Sequence, residues 1–333
     1  MFKCKKMYKI SLAFLLILSN IVLFSCKKSI KEPEITPKEV HITPLHYYFS
    51  KRDSSSVLAD SLLVKRFLQI VGYETEEPLS VQASRWANSL QVDIFSPEVE
   101  RVFGSDFSPL ENKIGYFLGA AEAYGLKIPE YRYATIVYGK NKSIVESDSI
   151  FMIALNHYLG DDYEGYLNFP VYERTTKTPE QLPYDIVEAV VSSTYPFKPD
   201  KDSGENVLQN LLYSGALVSA RKDFVENSTD AEALGLNEKQ YQWLLENEKN
   251  LWNELIRKQL LFDKDPLTIH KLFDPAPTTS ILSIYSPGRV GRFLGYRIIR
   301  DYMEKNPDIT YSDILSHDFY NDPNILQRIE PGF

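Results

Sequence analysis

Residues 286–307, SPGRVGRFLGYRIIRDYMEKNP, constrain the fold most, because they combine a helical pattern with regularly spaced glycines. Ser286 suits the N-cap of a helix, and the asparagine–proline pair at the far end suits its stop. Glycine inside a helix lowers its stability by about 1 kcal/mol relative to alanine. We therefore expect another element to approach the face that carries Gly288, Gly291 and Gly295, which would make this segment a buried packing helix.

The other side of this predicted helix carries a basic and aromatic stripe. Its members are one tyrosine and three arginines: Arg289, Arg292, Tyr296 and Arg300. We interpret the stripe as a candidate binding surface that faces a groove or a partner protein. In the alternative interpretation, the arginines pair with acidic side chains at the surface and bind nothing else.

The N-terminus resembles the signal peptide of a bacterial lipoprotein. Lysines precede an apolar run at residues 10–24, which is shorter than the roughly 20 residues needed to span a membrane. The run ends in LFSC, which is similar to a lipobox, and this implies removal of residues 1–25 and lipidation of Cys26. Two or more acyl chains would then anchor the protein stably to a membrane. The alternative is an uncleaved membrane anchor.

Composition excludes several kinds of function. One of the two cysteines lies in the predicted signal peptide and the other is Cys26, so the mature chain has no disulfide, cysteine nucleophile, Cys–zinc site or iron–sulfur cluster. The net charge of −8 and the pI of about 5.3 argue against nucleic acid as a partner. Because no acidic run follows Cys26 directly, we expect a cell-envelope protein whose lipid anchor faces the periplasm.

The mature chain divides into three parts. Residues 26–44 are polar and rich in proline, and they predict an extended tether behind the lipidated cysteine. Residues 45–128 have helical periodicity, whereas residues 129–333 combine further helices with two β-branched, aromatic strands at 131–138 and 149–155. We expect these strands to be neighbours in a hairpin or meander. The predicted fold class is α+β, mostly α-helical with a small β-sheet, in one compact unit.

Motifs of well-known catalytic chemistry are absent from the sequence. No two of the five histidines are three or four residues apart, so no helix presents a histidine pair to a metal, and HExxH does not occur. There is also no nucleophile elbow, no P-loop and no dinucleotide-binding glycine motif. We therefore predict no catalytic residue, no metal site and no cofactor.

The segment after the second predicted strand concentrates aromatic and acidic residues. Its candidate ligand-binding side chains are His157, Tyr158, Asp161, Asp162, Tyr163 and Tyr166. Clustered carboxylates can bind calcium, although this spacing matches no EF-hand, and the aromatic rings can line a groove for a sugar or a peptide. The alternative interpretations are a solvated acidic loop and a small satellite core beneath it.

Four segments together resemble the gliding-motility lipoprotein GldB family. They are the lipobox, MIALNHYLG at 152–160, YQWLLENEKNLWNELIRKQLLF at 241–262 with the Asp-Pro pairs after it, and the glycine-bearing stretch at 286–302. The resemblance covers most of residues 130–307. It implies an envelope protein that contacts other proteins of the gliding machinery, or of the secretion apparatus tied to it.

The GldB family is itself similar to a group of predicted zinc peptidases, in which one helix carries HExxH and a following helix carries a glutamate ligand. The corresponding segments here, 183–195 and 205–226, contain no histidine and place Ser214 at the glutamate position. Because a catalytic zinc needs three protein ligands, the resemblance implies an inactive zincin-like peptidase scaffold. The alternatives are a cryptic envelope hydrolase and a lipoprotein that binds a glycan or a peptide.

Overall fold

The computed structural model describes residues 33–140, 142–201 and 204–329. The predicted signal peptide and the predicted lipidation site at Cys26 lie outside the described residues. In the part of the chain that is described, none of the helices combines the length and the apolar character needed to cross a membrane.

Helices make up the first part of the chain, as its periodicity predicts. Asp53, Asp60 and Ser89 each cap a helix by accepting a hydrogen bond from a backbone N–H of its first turn. The helix that Asp60 caps ends at Gly72, which adopts a left-handed conformation with a φ of 76°. The bounds are α1 (Leu45–Ser50), α2 (Ser54–Leu58), α3 (Ser61–Val71), α4 (Leu79–Ala87), α5 (Leu90–Phe103) and α6 (Ser108–Ala123).

The four described strands form one mixed sheet in the order β1-β2-β4-β3. They are β1 (Ile42–Thr43), β2 (Arg132–Ile136), β3 (Ile144–Ser147) and β4 (Ile150–Ala154). The predicted hairpin is wrong, because the two strands foreseen from the sequence, β2 and β4, are neighbours that run parallel. The strand β3, which the sequence analysis missed, pairs antiparallel with β4.

The end of the predicted tether belongs to the fold, because the compact unit begins at Glu34. The chain passes over α6 at Gly115 and Gly119, where an added Cβ would collide with the carbonyl oxygens of Lys38 and Thr36. The Lys38 N–H donates a hydrogen bond to the Gly115 carbonyl at 2.9 Å, and β1 then pairs parallel with β2. Residues 34–44 are therefore extended, as predicted, but they pack on the domain.

The remaining helices follow the sheet. Asn206 and Asn237 begin two of the longest helices. Each forms a capping box, in which the asparagine exchanges hydrogen bonds with the glutamine three residues later. The bounds are α7 (Val171–Arg174), α8 (Leu182–Thr194), α9 (Val207–Phe224), α10 (Asp230–Leu234), α11 (Glu238–Arg257), α12 (Pro266–Phe273), α13 (Val290–Lys305), α14 (Tyr311–Ile314), α15 (His317–Tyr320) and α16 (Ile325–Arg328).

The centre of the helical core is the crossing of α9 and α13. Gly215 and Gly295 meet there, because a Cβ added to either glycine would collide with backbone atoms of the other helix. Gly291 faces a phenylalanine ring of α12, whose nearest atom would lie 2.7 Å from an added Cβ, and Gly288 faces a backbone carbonyl of the preceding loop. The structure thus places all three glycines of the predicted face at close approaches.

The start of α13 differs from the prediction. Ser286 is buried in the preceding loop, where its hydroxyl accepts a hydrogen bond from the Thr279 N–H at 3.2 Å and donates one to the Ser283 carbonyl at 2.8 Å. The N-cap is Arg289, in the left-handed region with a φ of 62°, and the C-cap is Asn306. The serine–proline pair is therefore used to build the loop and not to cap the helix.

The predicted fold class is confirmed, because helices dominate the described residues and the sheet is small. β4 is buried at every position and α9 at most positions, so the sheet and the central helices share one core. This core brings the first two turns of α8, the C-terminal end of α9 and the N-terminal end of α13 into one region, where their charged side chains form ion pairs.

Candidate functional site: an arginine and carboxylate cleft

Three helices, α8, α9 and α13, direct charged side chains into one open cleft of about 300 Å³. The start of β3 and Tyr158, which follows β4, also line the cleft. The charged groups that line it are Asp185, Glu188, Arg221, Arg289 and Arg292. The arrangement follows from helical spacing, because Asp185 and Glu188 lie one turn apart on α8 and therefore face the same way.

Glu188 is held between two guanidinium groups. Its two oxygens accept hydrogen bonds from Arg292 at 2.9 and 2.7 Å, and one of them also accepts from Arg221 at 2.5 Å. Burial opposes ionisation of Glu188, but Arg292 and Arg221 outweigh it and hold the pKa of this carboxyl well below its usual range. The side chain of Arg221 is only 4% exposed, so the trio is a largely buried ion cluster.

Asp185 is the second carboxyl group of the cleft. It accepts a hydrogen bond from the Tyr158 hydroxyl at 2.9 Å and a longer one from Arg221 at 3.4 Å. Burial raises the pKa of Asp185 above its usual value, although Arg221 acts in the opposite direction. The two carboxyl groups of α8 thus have opposite pKa shifts, since Glu188 receives far stronger support from arginines than Asp185 does.

Arg289 is the positive group of the cleft without a negative partner. Its guanidinium makes no ion pair and no side-chain hydrogen bond with any residue that the structure describes, and its Nη1 would lie 3.2 Å from a Cβ added to Gly235. Burial, followed by repulsion from Arg292 and Arg221, lowers the pKa of Arg289 to about 10, so the group is still charged at neutral pH. The cleft therefore has three guanidiniums opposite two carboxyl groups.

The predicted binding stripe on α13 does not form one exposed surface. Arg289 and Arg292 face the cleft, whereas Tyr296 is 2% exposed and donates its hydroxyl to the first residue of α10 at 2.8 Å. Arg300 pairs with Asp223 of α9 at 2.6 Å. The stripe is not exposed as predicted, because acidic residues of α9 and α10 pack against this side of the helix and enclose it.

The aromatic and acidic loop is divided between the core and the surface. Tyr158 and Tyr166 are buried, and Tyr163 packs edge-on against Tyr166 with ring centroids 5.0 Å apart. Asp161 and Asp162 are exposed. Of the candidate residues in this loop, Tyr158 is the one that lines the cleft. The loop therefore contributes a hydroxyl group to the site, and its two aspartates lie elsewhere at the surface.

His157 is a buried structural residue. Its Nε2 lies 3.0 Å from the Tyr138 carbonyl and must donate to it, so Nδ1 accepts from the Ser143 hydroxyl at 3.0 Å. Burial, assisted by the charge of Lys177, lowers the pKa of His157 to about 4. The histidine is therefore neutral at pH 7 and serves to join β4 to the start of β3.

This shift predicts a pH dependence of stability. The unfolded chain binds a proton at His157 near the usual pKa of 6.5, whereas the folded chain does so only near 4. Stability should therefore fall as pH falls from 6.5 to 4, by about 2 kcal/mol between pH 7 and pH 5 from this residue alone. Urea unfolding of the protein and of His157→Gln at both pH values measures this contribution. An equal loss in both proteins would contradict it.

Asp185, Glu188 and Arg221 were not predicted as site residues from the sequence. One signal was present: most of the residues around α9 are apolar, so a charged side chain such as Arg221 within it is expected to be buried and to need a counter-charge. The acids on α8 lie on the same helix as one buried isoleucine and three buried valines, which again points to a buried partner. The identity of the partner depends on how the helices cross, which the sequence does not show.

The described part of the chain contains no cluster of side chains that could form a metal site. No group of three or more His, Cys, Asp or Glu side chains lies close enough there to hold a metal ion. Ser214, which takes the place of the expected glutamate ligand, donates its hydroxyl to the Leu211 carbonyl within its own helix at 3.4 Å. The charge of the cleft comes mainly from arginine, which cannot act as a metal ligand.

The fold and the cleft define a mostly helical protein with a small mixed sheet and a buried ion cluster. The family model of the gliding motility protein GldB matches residues 29–328. The chain therefore belongs to the GldB family, a family of gliding-motility lipoproteins, and the resemblance found in the sequence is confirmed. Neither a curated protein nor a solved structure matches the chain, so the likeness to a zincin scaffold stays a prediction.

Proposed function

We propose that the protein is a non-catalytic, lipid-anchored component of the cell envelope, which acts by contacting other proteins of the gliding machinery or its secretion apparatus. Membership of the GldB family supports this setting. The lipobox-like sequence before Cys26 supports attachment to a membrane, with the folded unit facing the periplasm.

The proposal that the protein is not catalytic rests on one observation: Glu188 is held between Arg221 and Arg292. A carboxylate that accepts three hydrogen bonds from two guanidiniums is a weak base and a poor ligand for a cation. A divalent cation in this cleft would also be repelled by Arg289. The cleft is therefore better suited to bind a negatively charged group than to activate a water molecule.

A turnover experiment tests this part of the proposal. The purified full-length protein is incubated with unfolded protein and with peptide mixtures, with and without added zinc, and the products are followed by mass spectrometry. We expect no cleavage above that of a preparation heated beyond its melting temperature. Peptide hydrolysis that a chelator abolishes, or that disappears in Glu188→Gln, would refute the non-catalytic function.

A genetic experiment tests the setting. We expect that cells without the gene lose gliding, that the wild-type gene restores it, and that Cys26→Ala does not. The physical reason is that the acyl chains provide the membrane affinity, so the variant should leave the membrane fraction. Full gliding by cells that contain only the soluble variant would show that anchoring is dispensable. Normal gliding without the gene would overturn the proposed role itself.

A further inference from the structure

The charges of the cleft leave one positive group unmatched. Glu188 accepts hydrogen bonds from Arg292 and Arg221, and Asp185 shares Arg221. Arg289 has no carboxylate within ion-pair distance among the described residues, although it lies in the same cleft. A guanidinium offers a planar fork of N–H donors that matches the two oxygens of a carboxylate. The unmatched charge therefore fits one monovalent anion.

The backbone of Arg289 is held in an uncommon conformation by the loop before α13. Its φ of 62° lies in the left-handed region, which is uncommon for a residue with a side chain. The conformation is held in place because the next residue, Val290, donates its N–H to the buried Thr279 hydroxyl at 3.2 Å. Such conformations persist where the surrounding structure enforces them, and they cluster at ligand-binding positions. Here the conformation presents the arginine to the cleft.

The start of an edge strand also lines the cleft. β3 pairs with β4 on one side, and no described strand pairs with its other side. Ser143 directs its carbonyl towards β4, where it accepts from the Ala154 N–H at 2.8 Å. In an antiparallel ladder the direction alternates, so the N–H and carbonyl groups of Ile144 and Glu146 point away from β4. An extended chain can pair with these groups.

We propose that the cleft binds an extended peptide segment through its carboxylate, with Arg289 as the group that holds the carboxylate and the outer edge of β3 as the pairing strand. This inference rests on the proposed role in protein contacts and specifies the chemistry of the partner. The carboxylate comes from a chain terminus or from an acidic side chain. A phosphate dianion fits less well, because it exceeds the single unmatched charge and faces Glu188 and Asp185.

The test is a binding measurement on the purified full-length protein in detergent micelles. The probes are fluorescent peptides of alternating valine and threonine, in three forms: a free C-terminus, an amidated C-terminus, and an amidated C-terminus with one internal glutamate. We expect the free form to bind at least about tenfold more tightly than the amidated form, as a charge-assisted hydrogen bond to arginine implies. Recovery by the glutamate form would identify a side chain as the source.

Variants assign the effect to one residue. Arg289→Gln should remove the difference between the free and amidated peptides, whereas Arg257→Gln, an equal loss of charge on an exposed part of α11, should preserve it. Acetate and acetamide as competitors give the same information on the unaltered protein, since acetate alone should displace the free peptide. This measurement applies even when Arg289→Gln does not fold.

Three results would overturn the inference. One is equal binding of the free and amidated peptides, or binding of neither. Another is displacement by inorganic phosphate at lower concentrations than by acetate, which would show that the cleft prefers a dianion. The third is unchanged discrimination in Arg289→Gln. None of these results would alter the gliding phenotype of cells without the gene, so failure of the inference is distinguishable from failure of the proposed function.

Discussion

A Gly295→Leu variant is expected to lose about 4 kcal/mol or more of its unfolding free energy, a large share of the roughly 5–15 kcal/mol that stabilises a typical domain. An added Cβ at this position would collide with the Leu211 carbonyl oxygen and lie 2.9 Å from the carbonyl carbon. These are backbone atoms in the middle of α9, so no side-chain rotation can relieve the overlap. The two helices would have to move apart and open the core.

The measurement is urea unfolding monitored by circular dichroism, with Gly295→Ala as the smaller step. Alanine gains about 1 kcal/mol in helix propensity and should still lose about 2 kcal/mol net, because the collision involves Cβ itself. Gly215→Ala, which alters the other side of the same crossing, should behave alike. Glu304→Ala, at an exposed position of α13, is the control and should change stability by less than about 0.5 kcal/mol. A Gly295→Leu protein as stable as Glu304→Ala would mean that the helices are not in contact here.

The glycine face could be predicted from the sequence because its cause is local. Glycine in a helical pattern has a known energetic disadvantage, and close packing is the common way to offset it. The start of α13 could not be predicted in the same way, since Ser286 and Pro287 are good capping residues. Their use in a buried loop depends on Thr279, which the serine contacts only in the folded protein.

For the sheet, the strands could be predicted from the sequence but their pairing could not. The residues of β2 and β4 are β-branched and aromatic, and both strands were found from the sequence. Their parallel pairing could not be derived, because it depends on β3. The turn into β4 uses Asp148 and Ser149 with φ values of 49° and 63°. A tight hairpin turn of this kind usually contains glycine or asparagine, so the common signal for it was missing.

The cleft could be predicted from the sequence only in part. The sequence analysis grouped Arg289 with Arg292, and both side chains line the cleft. What these side chains face is a tertiary property, because α8 and α9 come from parts of the chain about 70 to 110 residues earlier. The buried acid Glu188 gives Arg292 its counter-charge, while Arg289 has none among the described residues. Sequence alone gives no reason to treat the two arginines differently.

Glu188→Ala is expected to destabilise the protein by about 3–5 kcal/mol, because it leaves Arg221 and Arg292 charged and without their partner in a largely buried site. Urea unfolding at pH 7 measures this loss. The matched control is Glu254→Ala, which breaks surface pairs with Arg257 and Lys258 and should have a much smaller effect, because water screens exposed charges. Equal effects of the two substitutions would show that water screens the Glu188 cluster as effectively as a surface pair.

Replacing the whole cluster separates its contribution to stability from its contribution to function. In Glu188→Leu combined with Arg221→Met and Arg292→Met, the three charges of the trio are removed together and apolar side chains of similar length fill the space, which leaves one carboxyl group, Asp185, and one guanidinium, Arg289, in the cleft. We expect this variant to regain most of the stability lost in Glu188→Ala, since buried ion clusters are often no better than apolar packing. A variant as unstable as Glu188→Ala would instead indicate that the shapes of these side chains, and not their charges, hold the three helices together. Recovery of stability without recovery of gliding would mean that the cluster serves the surface that partners contact, because the fold itself does not require it.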